Sequence, residues 1–491
     1  LVEAILTLLA IIYTLTAVAL TIFVSSFGVL LAIYFFTRHK RPTLPVINET
    51  ELPSVTIQLP IYNEAHVVDR LIEACAYQDY PQDKFHIQIL DDSTDETVEV
   101  VAQKIAEMKA QGFSNISHIR RSDRKGYKAG ALAYGLELIT TEFIAIFDAD
   151  FVPTRDFLRR TMPHFVNNEK LALVQTRWDH LNLDYNWLTR VQALNIDAHF
   201  AIEQVARNRG RLPMSMNGTG GLWRVAAIYD AGGWSSSTLT EDLDLSYRAL
   251  MKGWDFLYLV DVPVPGELPP QVQAYKMQQA RWATGSTECL IKHAIPLLRS
   301  SQFSTPKKFM GLMHLSQYLV QPFILLLFLL TPPLLWGDMF TKIPDLRIIG
   351  VFSIIPPLLI IWSQAELYRD WRRRLLFFPV QFVVGAAVVL SNTRAVLAAF
   401  HKPGIEREFK RTPKFRLTKQ GEEWGSSHYA LEIDAITIGE FALALYALFG
   451  FYLALQNLPA LAPYMLAYTI SFTIFAYWNI YQSTARLARR S

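Results

Sequence analysis

The sequence predicts two joined parts, a doubly wound α/β domain and an α-helical transmembrane region with interfacial helices, and three observations predict them. Strand-like apolar runs alternate with helical ones between residue 53 and about residue 265, which argues a mostly parallel sheet. Apolar runs long enough to span a bilayer flank that stretch, and 51% of the 491 residues are hydrophobic, too many for a wholly soluble chain. Basic residues cluster beside those runs, a pattern that orients membrane segments; no nucleic-acid module is visible.

From Leu1 to Phe36 only Glu3 is charged, so residues 1–41 read as a single long transmembrane anchor rather than a signal peptide, with the absent initiator Met read as trimming. Arg38, His39, Lys40 and Arg41 follow at once, and the positive-inside rule puts that end, and the domain of residues 42–270 behind it, in the cytoplasm of a plasma or inner membrane. Strands are expected at 55–59, 85–90, 143–147 and 171–175, and helices at 69–77, 96–110, 128–138 and 155–165. Residues 271–308 hold an amphipathic stretch, 272–295, suited to a membrane surface. Crossings are expected at 309–336 and 348–367, within 309–371, and at 435–456 and 461–482, within 434–491. The run Leu375 to Leu390 is short, holds Pro379, Gln381 and Gly385, and lies between Arg372-Arg373-Arg374 and a basic loop from Arg394 to Lys419. Positive flanks on both sides make 372–433 an interfacial or re-entrant segment plus a cytosolic loop. Five crossings result, with the amino terminus outside and the Arg486 to Arg490 end inside. Cys75 and Cys289 show no C-x-x-C pattern and read as idle thiols.

The chemistry-bearing stretches sit at the ends of the strands. Phe143-Ile144-Ala145-Ile146-Phe147 runs into Asp148-Ala149-Asp150, and side-chain alternation would put both carboxylates on one side, where open sheets bind ligands and an acid pair suits a divalent cation with its phosphates. Pro60-Ile61-Tyr62-Asn63-Glu64 follows the first strand and Asp91-Asp92 the second; each suits a nucleobase or ribose, and each reads equally as a turn or helix start. Asp123 to Gly130, with Lys128, is a glycine-punctuated basic segment that suits a diphosphate or forms a solvated turn. Asn217-Gly218-Thr219-Gly220-Gly221 lets backbone approach a ligand, or turns the chain. Thr238-x-x-Glu241 matches a capping box, and Asp242 beside it is an acid that can take a proton from an acceptor hydroxyl. Gln278-x-x-Arg281-Trp282 puts an amide and a guanidinium on one helical face beside an indole, as a site or as interfacial anchors.

Taken in order, Asp91-Asp92, Asp148-x-Asp150, Thr240-Glu241-Asp242 and Gln278-x-x-Arg281-Trp282 resemble the signature of membrane-bound family-2 glycosyltransferases, the cellulose, hyaluronan and mannan synthases. The stretches 217–224, 232–234, 241–245 and 278–282 are most similar to the cellulose synthase-like A and C group, which makes mannan and glucan backbones. The resemblance implies a nucleotide-sugar-binding domain of the glycosyltransferase A type. It implies that Pro60, Tyr62, Glu64, Asp91, Asp92 and Lys128 hold the donor nucleotide together with Asp148, Gln278 and Arg281. Asp148 and Asp150 would bind Mn2+ or Mg2+, Asp242 would be the general base, and Asn217, Gly218, Thr219, Glu241 and Trp282 would meet the acceptor. Ala280, Ala283-Thr284-Gly285 and Gly220 depart from close relatives, which leaves the sugar open between GDP-mannose and UDP-glucose. The expected activity is inverting, processive synthesis of a β-linked polysaccharide passed through the lipid bilayer to a growing glycan acceptor. The alternatives are a glycolipid synthase that adds one sugar, and a transporter or receptor with a cytosolic binding domain.

Overall fold

The computed structural model describes residues 1–344, 347–417, 427, 429 and 434–490. The end of the basic loop, to Lys419, and the side chains of the Arg486 to Arg490 end lie outside the described residues. Helix α1 (Val2–Thr37) leads into a seven-stranded sheet of β1 (Val55–Ile61), β2 (Phe85–Asp91), β3 (Ile116–Ile119), β4 (Phe143–Ile146), β5 (Leu171–His180), β6 (Gly221–Arg224) and β7 (Asp255–Gly266). Helices α2 (Val68–Ala76), α3 (Thr97–Ala110), α4 (Tyr127–Glu137), α5 (Phe157–Thr161), α6 (Trp187–Ala198), α7 (Gln204–Arg209), α8 (Val225–Asp230) and α9 (Glu241–Met251) complete the domain. The helix expected over 155–165 is shorter and passes into a 3-10 turn at Met162–Phe165, where Pro163 has no N–H to continue an α-helix.

The strand order is β3-β2-β1-β4-β6-β5-β7. The sheet is mixed: β6 runs antiparallel to both β4 and β5, while β1, β2, β3 and β4 are parallel, as are β5 and β7. The parallel half carries three of the four expected apolar runs and β5 the fourth, and all of β4 is buried. Ile61 pairs with Asp91 and Gln58 with Ile146, so the segments after β1, β2 and β4 emerge at one edge of the sheet. The chain leaves β1 toward β2 on one side and returns as β4 on the other, which opens a crevice at the switch point.

Beyond the domain come α10 (Val272–Arg299), α11 (Thr305–Leu315), α12 (Val320–Trp336), α13 (Arg347–Phe352), α14 (Ile355–Leu367), α15 (Trp371–Arg374), α16 (Phe378–Ala387), α17 (Val389–His401), α18 (Ile436–Asn457) and α19 (Ala462–Arg490). Among the described residues five helical stretches are long and apolar enough to cross a membrane: Val2–Thr37, Gln317–Trp336, Gly350–Leu367, Ile436–Asn457 and Pro459–Gln482. A sixth is reached if Trp371–Ala387 and Val389–His401, bent by 40°, count as one. The run expected from residue 309 is broken at Ser316, which caps α11. On α18, Ile438, Phe441, Leu445, Leu448 and Tyr452 are exposed at the spacing of one helical face, as a lipid-facing surface requires. Its acid turns inward, where Glu440 Oε1 lies 2.6 Å from the buried Lys276 Nζ of α10. A charge inside a helix bundle persists when it is paired.

Candidate active site

The crevice beyond the sheet edge is a cavity of about 180 Å³, and its walls include Pro60, Tyr62, Glu64, Asp92, Lys128, Asp148 and Asp150. Asn217, Gly218, Glu241, Asp242, Gln278, Arg281 and Trp282 line it from the other side. The structure therefore brings together most of the residues singled out in the sequence. Two lie apart from its walls. Asp91 is buried, with His118 Nε2 2.8 Å from its Oδ2 and the Ser93 N–H donating to Oδ1. Thr219 is buried beneath the floor, where its Oγ1 accepts from the Asp148 N–H at 3.0 Å and its carbonyl from Gln175 and Trp178.

Lysine side chains meet the acids at the end of β4. Lys128 Nζ donates to Asp148 Oδ1 at 2.6 Å and to the Gly218 carbonyl at 2.9 Å, with Glu241 Oε1 at 3.4 Å. Burial disfavours its charge, yet Asp148 and Glu241 outweigh that and hold it protonated. Gly218 has a φ of +79°, a conformation that favours glycine, and a side chain there would stand within 4 Å of Asp242, Lys128 and Asp148. Lys414 Nζ donates to Asp150 Oδ2 at 2.5 Å and to the Glu267 carbonyl. Lys414 belongs to a strap after α17 whose Phe409, Arg411 and Thr412 also line the cavity. The buried Glu267 carboxylate pins the strap by accepting from the Phe415 and Arg416 N–H groups at 2.8 and 3.0 Å, with Arg70 beside it. Phe409 lies under the Arg281 guanidinium, 4.6 Å from ring centroid to Cζ, and Arg124 covers the Tyr62 ring at 3.3 Å. Sequence reasoning read the strap as a plain basic loop; its only signal was an aromatic and a threonine among positive charges.

Asp242 opens α9. The expected capping box does not form: Thr240 is the N-cap without a side-chain bond, and the Thr238 hydroxyl donates to the Thr240 carbonyl. Glu241 is thereby free to face Lys128. Burial and the Glu241 carboxylate push the Asp242 pKa up to about 7 against the pull of Lys128, so the group is only partly ionised at neutral pH, unlike the fully ionised carboxylate expected of an ordinary Asp. Burial likewise raises Glu64 to about 7, with Asp150 and Asp148 adding to it and Arg411 opposing.

Two ties fix α9 against α10, the helix that carries Gln278, Arg281 and Trp282. Asp244 is fully buried and accepts from His293 Nε2 at 2.7 Å, Lys292 Nζ at 2.6 Å and Arg248 Nε at 2.9 Å. Burial would raise its pKa, but the His293 hydrogen bond and the Arg248 and Lys292 charges hold it well below the carboxylate range. Glu288 accepts from the Leu239 N–H and from Arg407 Nε. The helices touch where α10 has Gly285, since a Cβ there would lie 2.5 Å from Thr240 Cγ2 and 2.9 Å from its nitrogen.

A second cavity of about 440 Å³ shares Trp178, Asn217, Asp242, Gln278 and Trp282 with the first and continues between the apolar helices past Gln317, Gln321, Gln381 and Asn392. At the junction Trp178 stacks on Phe200, with Phe151 at 5.1 Å and Trp282 at 6.4 Å between ring centroids. Asn217 is held by Gln204 Nε2 on its Oδ1 at 2.7 Å and by His199 Nε2 beside its Nδ2. Trp178 and His199 carried no signal in the sequence, since one lies inside β5 and the other in a π-helical turn that no sequence pattern marks.

Residues 53–285 match the family described as glycosyltransferase like family 2. The chain is 42% identical over 268 residues to probable glucomannan 4-beta-mannosyltransferase 2 of Oryza sativa subsp. japonica, covering 54% of this chain and 46% of that protein. It is 40% identical over 272 residues to glucomannan 4-beta-mannosyltransferase 9 of Arabidopsis thaliana, covering 54% and 51%. The chain spans about half the length of the curated relatives it matches. Its fold is similar to mannosyltransferase PcManGT from Pyrobaculum calidifontis, solved in complex with GDP-Man and Mn2+, with a TM-score of 0.52 and 21% identity over 78% of this chain and 99% of that one.

Proposed function

We propose that the protein, whose residues 53–285 match the family described as glycosyltransferase like family 2, is an inverting, processive synthase that adds β-linked mannosyl units from GDP-mannose to a growing mannan backbone and feeds it into the membrane. The observation that carries this reading is the meeting of the two cavities at Asp242 and Trp282. One is lined by acids and cations suited to a nucleotide diphosphate, the other by amides and aromatic rings that suit sugar rings leaving between the helices. The names of the matched relatives support mannose as the sugar. The basic cluster Arg38 to Arg41 after α1 supports a cytosolic domain.

In the proposed mechanism the Asp242 carboxylate takes the proton of the acceptor hydroxyl as that oxygen attacks the anomeric carbon. The bond from that carbon to the diphosphate breaks on the opposite face, the nucleotide diphosphate leaves, and the configuration inverts. The raised pKa of Asp242 suits it to this work, since a base near the working pH combines availability with driving force. Tyr62, Glu64 and Asp92 line the nucleotide end, and Arg281 with Lys128 meets the diphosphate charge. Asp148 and Asp150 each meet a lysine through one oxygen and face the same cavity, so their other oxygens would hold a divalent cation beside the diphosphate. When bound, such a cation stabilises the charge that gathers on the leaving diphosphate. Trp178 and Trp282 seat the acceptor sugar, and Asn217, fixed by Gln204 and His199, presents its edge to it.

The test is turnover by the purified full chain in detergent with Mn2+, offered labelled GDP-mannose and UDP-glucose separately, with product size resolved. A long, mannanase-sensitive product from GDP-mannose is expected. A single-sugar product that is solvent-extractable and needs added lipid would replace this reading with glycolipid synthesis.

A further inference from the structure

A third cavity, of about 220 Å³, lies away from the site, where α1 and α14 end against the domain. Its walls hold four arginines, Arg38, Arg41, Arg177 and Arg209, against two acids, Asp261 and Glu366. Arg38 follows the last turn of α1, Glu366 lies in the last turn of α14, and Arg209 ends α7. The acids are engaged with one arginine: Arg41 Nη1 lies 3.0 Å from Asp261 Oδ1 and Nη2 3.7 Å from Glu366 Oε1. Arg177 meets Asp179 at 3.4 Å and the Val260 carbonyl. Among the described residues neither Arg38 nor Arg209 forms an ion pair. Arg209 donates to the Thr37 carbonyl, which quiets the negative end of α1, and Arg38 lies over the Phe35 and Trp362 rings at 5.7 and 5.9 Å. Tyr34, 2% exposed, adds a buried hydroxyl that has no hydrogen bond of ordinary geometry and feels the Glu366 carboxylate.

An excess of guanidinium gathered around a polar hollow at the ends of two candidate spans is an arrangement that recognises phosphate. We propose that this cavity binds a phosphate-type anion, of the chemistry an anionic phospholipid headgroup presents at the membrane surface, and that the bound group joins α1 and α14 to the domain. Basic hollows between membrane helices take such headgroups. The walls come from α1, α7, β5, β7, α14 and the π-helical turn His199–Glu203, so one headgroup would bridge both candidate spans to the domain. The inference does not rest on the identity of the sugar donor.

The experiment is thermal melting of the delipidated full chain in detergent, followed by tryptophan fluorescence at fixed ionic strength. The additives are dioctanoyl phosphatidylglycerol, dioctanoyl phosphatidylcholine and sodium phosphate. Wild-type protein should melt at a saturably higher temperature with phosphatidylglycerol and not with phosphatidylcholine. Losing one charge-assisted contact should move the half-saturating concentration up by about tenfold in Arg38→Gln and in Arg41→Gln. Arg373→Gln, an exposed arginine outside the cavity, should behave as wild type. An equal rise with sodium phosphate identifies free phosphate as the source and upholds the site. Absence of any rise in the wild type, or a rise that both cavity variants keep, overturns the proposal. Arg41 is more than half exposed, so its variant folds even if Arg38→Gln does not.

Discussion

The two halves of the site are built in opposite ways. On the proposed donor side, Tyr62, Asp92 and Asp148 reach the crevice because the adjacent parallel strands β1, β2 and β4 stop there in register. On the proposed acceptor side the rings sit inside elements: Trp178 lies within β5, His199 in a π-helical turn, and Trp282 on α10. Backbone pairing within one domain positions the first half. The second depends on how helices outside the sheet pack against it, and Asp242 stands where the two meet. The acids on the proposed donor side are thus a property of the sheet edge, their cationic partners come from α4, α10 and the strap, and the proposed acceptor geometry is a property of the α9 and α10 contact.

The sharpest way to break that division is at its boundary. Asp242→Asn should lower transfer by about 10³-fold, within the span typical of a lost general base, while isothermal titration shows donor binding unchanged. Because a pKa raised in the folded protein means that ionisation opposes folding, the unliganded variant should also melt higher than wild type above pH 7. Next in size is Asp244→Asn. Leaving Lys292, Arg248 and His293 around a neutral amide should cost about 3 kcal/mol or more, seen as a lower urea midpoint. The Asp244 pKa is depressed, so its stabilisation is present above the unfolded carboxylate pKa and fades as pH falls below about 4. The difference between wild type and variant should shrink over that acidic range.

Gly285→Ala sharpens the acceptor half alone. The added methyl must push α10 from Thr240, and overpacking of this kind costs about 1–3 kcal/mol; transfer should fall roughly tenfold with donor affinity intact. A fall in donor affinity instead would show that the halves are not separable. A milder probe is pH. Transfer should rise between pH 6 and 8 with an apparent pKa near 7, following the value of about 7 for Asp242, and the residual activity of Asp242→Asn should lose that dependence.

The same division governs what could be read in the sequence. Phe143 to Asp150 was legible because five apolar residues followed by two acids fix both a buried strand and its end. Three strands were not. β3 is a four-residue edge, and β6 is hidden in a glycine-rich stretch that reads as a loop. β7 contains Pro263 and Pro265, which argue against a strand, yet it stands at the edge of the strand order beside β5, and an edge strand tolerates proline. The antiparallel β6 is what makes the sheet mixed. In the site, Lys414 reaches Asp150 across 264 residues, and a loop carries no periodicity by which such a return can be foreseen. Thr219 and Asp91 illustrate the converse: they belong to the right motifs but turn into the protein interior, since neighbouring side chains on a strand or tight turn face opposite ways.

The contact between α9 and α10 has a kinematic meaning. Asp244 and Glu288 fasten the start of α9 to the helix that bears Trp282, so proton acceptor and indole floor travel as one rigid body. In the proposed elongation, an advancing chain would slide past this pair rather than widen the gap between them. On the proposed function the spacing would act as a fixed gauge that admits the terminal ring in one depth of insertion, and the step length of elongation would be set by the protein's own frame.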